Sequence, residues 1–156
     1  MFKLLLVISL VFITGCKANE SLVDPLNPKF DLIYFNVVQK QLVIDQELPK
    51  NLKNLVSNWF DEKIKINGFE GEMELIISDY SEEVSIIDNG KKIESFMSFI
   101  LIINKSNFPQ KNIIKGTVSS YGTLTGDFSL NEFDNLVNNT HSDLILRLSH
   151  DLKSKI

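Results

Sequence analysis

The chain has 156 residues, 16 basic and 20 acidic side chains, a formal net charge of -4 and one cysteine. That length suits a single domain behind a leader. The acidic balance argues against nucleic-acid binding, which needs a basic footprint, and a lone thiol excludes an internal disulfide.

The chain opens MFKLLLVISLVFITGC: Lys3 supplies a positive charge, and Leu4 to Ile13 are apolar except for Ser9. The run is too short to span a bilayer, which takes about 20 residues, and it fits the hydrophobic region of a secretory signal peptide. Its end, Ile13-Thr14-Gly15-Cys16, resembles the bacterial lipobox: an aliphatic residue, two small residues and a cysteine. That resemblance implies a diacylglycerol on the Cys16 thiol, cleavage just before it, and acylation, typically with palmitate, of the new amino group. Small residues let an extended segment enter a peptidase cleft, and acyl chains contribute about 0.8 kcal/mol per buried CH2 to anchoring.

Residues 1–15 are then a signal peptide, 16–29 a lipidated tether, and 30–156 one domain. Lys17 follows the cysteine where a retained inner-membrane lipoprotein tends to have aspartate. By that rule of other bacterial lipoproteins, the domain is expected on the outer membrane, facing the periplasm. Cleavage removes only Lys3 among the charged residues, and lipidation leaves no thiol for metal binding or nucleophilic chemistry.

The tether KANESLVDPLNPK carries two prolines and no apolar period; fully extended, it reaches about 40 Å. Residues 30–38, FDLIYFNVV, are rich in aromatic and β-branched side chains and predict a strand. From Leu48 to Ile66, Leu52, Leu55, Val56, Trp59, Phe60 and Ile64 recur at three and four, so one apolar helical stripe is expected. Pro49 fits its first turn, Asn67-Gly68 its end, and Trp59 at that spacing belongs in the core.

In Gly71 to Tyr80, Met73, Leu75 and Ile77 alternate with Glu72, Glu74 and Ser78, the period of a half-buried strand. A second arm reaches Ile87, and Asp88-Asn89-Gly90 marks a hairpin whose two central residues should take positive φ. Ile93 to Ile103 is a long strand, its Phe-Ile-Leu-Ile-Ile end buried on nearly both faces. After a loop with Pro109, Ile113 to Tyr121 is the next strand, with Gly116 a bulge or a close-approach point. Gly122 to Phe128 reads as a flexible connector. Ser129-Leu-Asn-Glu132 is a capping box opening a helix that runs to about Ser154. The expected class is α+β, in the order β-α-β-β-β-α: an antiparallel sheet of about four strands with two helices on one face.

Chemistry is sparse. His141 and His150 lie nine residues apart, which places them on nearly opposite sides of a helix and denies them a shared metal. His141 reads as a residue at the boundary of the apolar stripe. No phosphate loop and no nucleophile elbow occurs. Glu82-Glu83 and Asp61-Glu62 are adjacent carboxylates that should point apart at a solvated edge. The reading is a protein that binds and does not catalyse, without metal or cofactor.

Lipobox, short tether and strand-helix-three strands-helix order together resemble the lipopolysaccharide-assembly lipoprotein family, LptE/RlpB. The nearest local likeness is the chain end: Ser120-Tyr121 closing a strand, a connector through Phe128, and an acidic helix start at Glu132 and Asp134 running into Leu146-Arg147-Leu148. The resemblance implies an outer-membrane lipoprotein that plugs the lipopolysaccharide-translocating barrel LptD and contacts lipopolysaccharide. Lys91, Lys92, Lys105 and Lys111 are the candidates for that lipid's anionic head. Two readings of other classes stand beside it: an accessory lipoprotein of an ABC-type lipid transport system, and a periplasmic enzyme, which would need a pocket holding a carboxylate or histidine of shifted pKa.

Overall fold

The fold is that of a computed structural model, which describes residues 30–105 and 111–156. The segments expected to be a signal peptide and a tether, Cys16 between them, and the middle of the Pro109 loop lie outside those residues. The elements are β1 (Ile33–Phe35), β2 (Gln39–Ile44), α1 (Lys50–Lys63), β3 (Ile64–Ile66), β4 (Glu72–Ile87), β5 (Gly90–Asn104), β6 (Asn112–Thr125) and α2 (Leu130–Lys155). A four-stranded sheet in the order β2-β4-β5-β6 and a small β1-β3 pair share one core with the two helices, giving the α+β class.

β4, β5 and β6 form an antiparallel meander, whereas β2 joins β4 in parallel. Helix α1 is the reason. A chain that leaves β2 through a helix returns to the same end of the sheet, and its next strand runs parallel. The strand expected over residues 30–38 is the short β1, and β2, which the sequence reading did not place, follows directly after it because the chain changes partners there. β1 pairs with β3, then Val38 N–H donates to Gly71 O at 3.0 Å and β2 continues beside β4. At that step the β3–β4 loop passes directly over the backbone of Asn36 and Val37, so only glycine fits at position 68. Asn67-Gly68 is therefore a backbone crossing, not the helix end. The helix stops at Lys63, where Ile64 turns extended to bury its side chain completely and pair with Ile33.

The core holds Trp59, Phe99, Leu52, Leu75, Met97, Leu101 and Leu148, each at most 2 % exposed. Burying one such side chain contributes about 1.5–3 kcal/mol. Along β5, Phe99 and Leu101 are buried against the helices while Ile100 and Ile102 are half-buried on the other face. Neighbouring strands, not a second layer, shield them.

The hairpin lies where Asn-Gly predicts it but is built differently. Ile87 pairs with Gly90, so Asp88 and Asn89 are the turn, and no non-glycine described residue has positive φ. Gly90 is required because a β-carbon there would run into the Leu124 carbonyl. β6 runs on through the predicted connector to Thr125, and its ladder with β5 passes Gly116 without a shift. Gly116 is instead a close approach: a β-carbon would lie 2.5 Å from the Phe99 ring and 2.6 Å from Asp151 Oδ2. The capping box is present, with Ser129 N–H donating to Glu132 Oε2 at 2.7 Å and Glu132 N–H to Ser129 Oγ at 3.3 Å. The first half of α2 is more exposed than its apolar spacing predicts, Leu130 being 75 % exposed.

The two ends of the domain differ in kind. Asp31, where the chain enters, is bonded to Lys153 near the end of α2. The β4–β5 turn lies at the far end of strands 16 and 15 residues long, about 45 Å away.

Candidate functional site

Among the described residues, the sheet's one register shift sits between Ile77 and Asp79 of β4. An inserted residue moves every later side chain to the opposite face. Before it, Met73, Leu75 and Ile77 point to the core; after it Tyr80 and Glu82 do. Ser95 on β5 pairs with Glu82 across the ladder, and α2 lays His141 over them.

Three groups converge there on one oxygen. Glu82 Oε2 accepts from Tyr80 OH at 2.6 Å, from His141 Nε2 at 2.6 Å and from Ser95 Oγ at 3.2 Å. Tyr80 OH also lies 3.1 Å from His141 Nε2. His141 is buried, 3 % exposed, not at the boundary of its stripe, and its Nδ1 has no partner among the described residues. Nε2 donates to the carboxylate. Burial pushes the Glu82 carboxyl upward, but the hydrogen bonds from Tyr80, His141 and Ser95 and the nearby imidazole outweigh it, so its pKa falls below the ordinary value. Burial first, then the bond to Glu82 and its charge, raise the Tyr80 phenol well above its usual range. Glu82 therefore stays ionised and Tyr80 protonated: a donor set clasped on an anion, tying β4 and β5 to α2. Glu82 and Glu83 are both exposed residues, as expected of a solvated edge, but the Glu82 side chain turns in to the three donors while Glu83 lies on the opposite face.

The same helix makes a second link. Ser120 Oγ donates to Asp143 Oδ2 at 2.7 Å, and Arg147 Nε donates to the same oxygen at 2.7 Å. A third clamp holds the other helix: Lys40 Nζ donates to the carbonyls of Phe60, Asp61 and Ile64, closing the end of α1. Desolvation lowers the pKa of that ammonium, opposed by Asp61.

The four candidate lysines are not brought together. Lys91 and Lys92 sit beside the hairpin turn on opposite faces. Lys91 Nζ lies 5.0 Å from the Phe133 ring centre and 5.9 Å from that of Phe128, while Lys92 pairs with Glu94 at 2.9 Å and faces Tyr121. Lys105 and Lys111 are at the other end of the sheet, flanking the loop between β5 and β6, and form no ion pair among the described residues. Lys111 lines a cleft of about 390 Å³ with Lys40, Glu72, Glu74, Ile66 and Ile102. Exposed apolar side chains mark both ends: Val84 and Ile86 near the turn, Phe69 in the β3–β4 loop, 98 % exposed. Among the described residues no three His, Cys, Asp or Glu side chains group as metal ligands, and no helix is long and apolar enough to cross a membrane.

The clasp escaped the sequence reading because its parity depends on the inserted residue. Its trace was Ser95, a polar side chain alternating with Ile93 and Met97 on a core-facing row.

No protein-family model matches the chain, and no curated protein does. Among solved structures it is similar to the minor lipoprotein of Acinetobacter baumannii, at 10% identity over 77% of this chain and 92% of that one, with a TM-score of 0.49. It is similar to the rare lipoprotein B of Shewanella oneidensis, at 14% identity over 76% and 98%, with a TM-score of 0.48. Lipoprotein B of Nitrosomonas europaea matches over 82% of this chain and 90% of that one, at 8% identity and a TM-score of 0.50, and the chain shares the fold of that protein.

Proposed function

We propose that the protein is a lipid-anchored outer-membrane lipoprotein of the LptE type. In this reading it is a non-catalytic accessory in lipopolysaccharide transport and assembly that binds an LptD-like barrel. The observation that carries the reading is the fold shared with the Nitrosomonas lipoprotein B across most of both chains. The lipobox at Ile13 to Cys16 supports the anchor.

With the chain entering at Asp31 and the hairpin turn at the far end, the anchored domain presents Lys91, Lys92, Val84 and Ile86 away from its tether. A barrel lumen would receive that end. Lys105 and Lys111 stay on the tether side, where an anionic lipid head would meet them. The test is crosslinking in the native envelope followed by affinity purification of the mature lipoprotein. Recovery of a lipopolysaccharide-translocating barrel supports the reading. Recovery of an ABC permease or a lipid carrier in its place overturns it in favour of the rival transport class.

A further inference from the structure

The sheet has two long edges, and they are defended differently. Beyond its pairing with β2, β4 bears Asp79, Glu82 and Glu83 and carries the bulge, both devices that discourage further pairing. β6, NIIKGTVSSYGTLT, has 14 residues in unbroken register with β5, no proline and one charged side chain, Lys115.

The direction of its free groups follows from two bonds. Gly126 N–H donates inward to Asn89 O at 2.7 Å, whereas the Lys115 carbonyl is open to Lys155 Nζ at 3.3 Å. In an antiparallel ladder the direction alternates, so Thr117, Ser119, Tyr121 and Thr123 turn their N–H and C=O away from β5. No backbone bond to them occurs among the described residues. Beside that row, β6 and α2 bound a groove of about 330 Å³ lined by Thr117, Val118, Ser119, Arg147, His150 and Asp151. An edge strand flanked by a helix is the geometry in which an extended peptide is added to a sheet.

We propose that this edge is a strand-addition site for an extended segment of a partner protein, with an acidic side chain facing α2 at Arg147. Charge selects the occupant. Arg147 is 55% exposed and among the described residues only its Nε is committed, to Asp143, while Asp151 in the same groove is paired with Lys155 at 2.6 Å and exposed His150 lies one helical turn on. A second copy paired about Ser119 would bring the two Arg147 side chains together across the symmetry axis, which disfavours it. The site is independent of the barrel reading above and stands or falls separately.

The test uses the full mature lipoprotein in detergent and a peptide of about nine alternating Thr and Val residues with a central Glu. Two companions are a central-Lys analogue and a form with alternate backbone amides N-methylated. The Glu peptide is expected to bind about tenfold more tightly than the Lys analogue, and N-methylation should abolish binding. Ser119→Pro removes an outward N–H that β5 does not use, so it should weaken binding about tenfold while leaving the circular dichroism unchanged. Arg147→Gln should erase the Glu preference and keep the sensitivity to N-methylation. Binding indifferent to N-methylation, or none at about millimolar peptide, overturns the proposal. So does a concentration-dependent dimer lost in Ser119→Pro, which would give the edge to a second copy. If Ser119→Pro fails to fold, the methylated peptide decides alone.

Discussion

Replacing Glu82 by Gln removes the charge of the clasp and little of its volume. Hydrogen bonds to a charged group contribute about 1.5–3 kcal/mol each, roughly twice neutral ones. Glu82 Oε2 accepts three of them. An amide oxygen still accepts from Tyr80 and His141, and the Glu82 side chain is 25% exposed, so solvent screens part of the loss. The expected destabilisation is about 2 kcal/mol at pH 7. Because the folded pKa of Glu82 is depressed, its contribution is fully present above the unfolded carboxyl value and is lost as pH falls through the folded one. Urea unfolding of the wild type and Glu82→Gln should therefore show a gap at pH 7 that narrows once pH falls below the ordinary carboxylate range and closes as it passes the depressed folded value. Glu83→Gln, one residue away and exposed, should stay within about 0.5 kcal/mol of wild type at pH 7 and in acid. Equal effects of the two substitutions, or a Glu82 gap that persists in acid, would refute the inward placement of Glu82 and with it the bulge.

Other perturbations have equally definite outcomes. Gly116→Ala forces a β-carbon against buried Phe99 and against Asp151, and overpacking of this kind costs about 1–3 kcal/mol, readable as a lower urea midpoint. Ser129→Ala removes the hydroxyl that caps α2 and should cost about 1 kcal/mol in thermal unfolding followed by circular dichroism. Cys16→Ser should abolish labelling with radioactive palmitate and shift the protein from the detergent phase to the aqueous phase; labelling that survives refutes the lipidation reading. Lys105→Ala with Lys111→Ala should weaken lipopolysaccharide binding more than Lys91→Ala with Lys92→Ala, since the second pair is occupied by aromatic rings and Glu94; the reverse order would move the lipid head to the hairpin.

What could be read from the residues followed from local chemistry. Ser129 and Glu132 announce α2 because a capping box is complete within four residues, and Trp59 reads as core because its stripe is complete within one helix. What could not be read depended on neighbours distant in sequence. Nothing in FDLIYFNVV shows that the chain changes partners at Val38, because the signal lies in Gly68, thirty positions later. The boundary between α1 and β3 was blurred by Ile64, whose side chain satisfies the helical stripe and the strand equally. The candidate lysines were legible as exposed turn residues, but their separation to opposite ends of the molecule is a property of the meander. Gly116 carried two readings, and only the depth of Phe99 beneath it decides for contact over bulge.

The parallel placement of β2 also orders events in time. β4, β5, β6 and α2 follow one another along the chain and pair with near neighbours, so they can assemble by short loop closures. β2 cannot be placed until β4 exists, and Lys40 on β2 closes the end of α1, so strand and helix must wait together. In a chain that emerges from its N-terminus, the first segment out is the last to dock. A carrier or chaperone that captured residues 30–66 would hold the protein open while its meander was already formed.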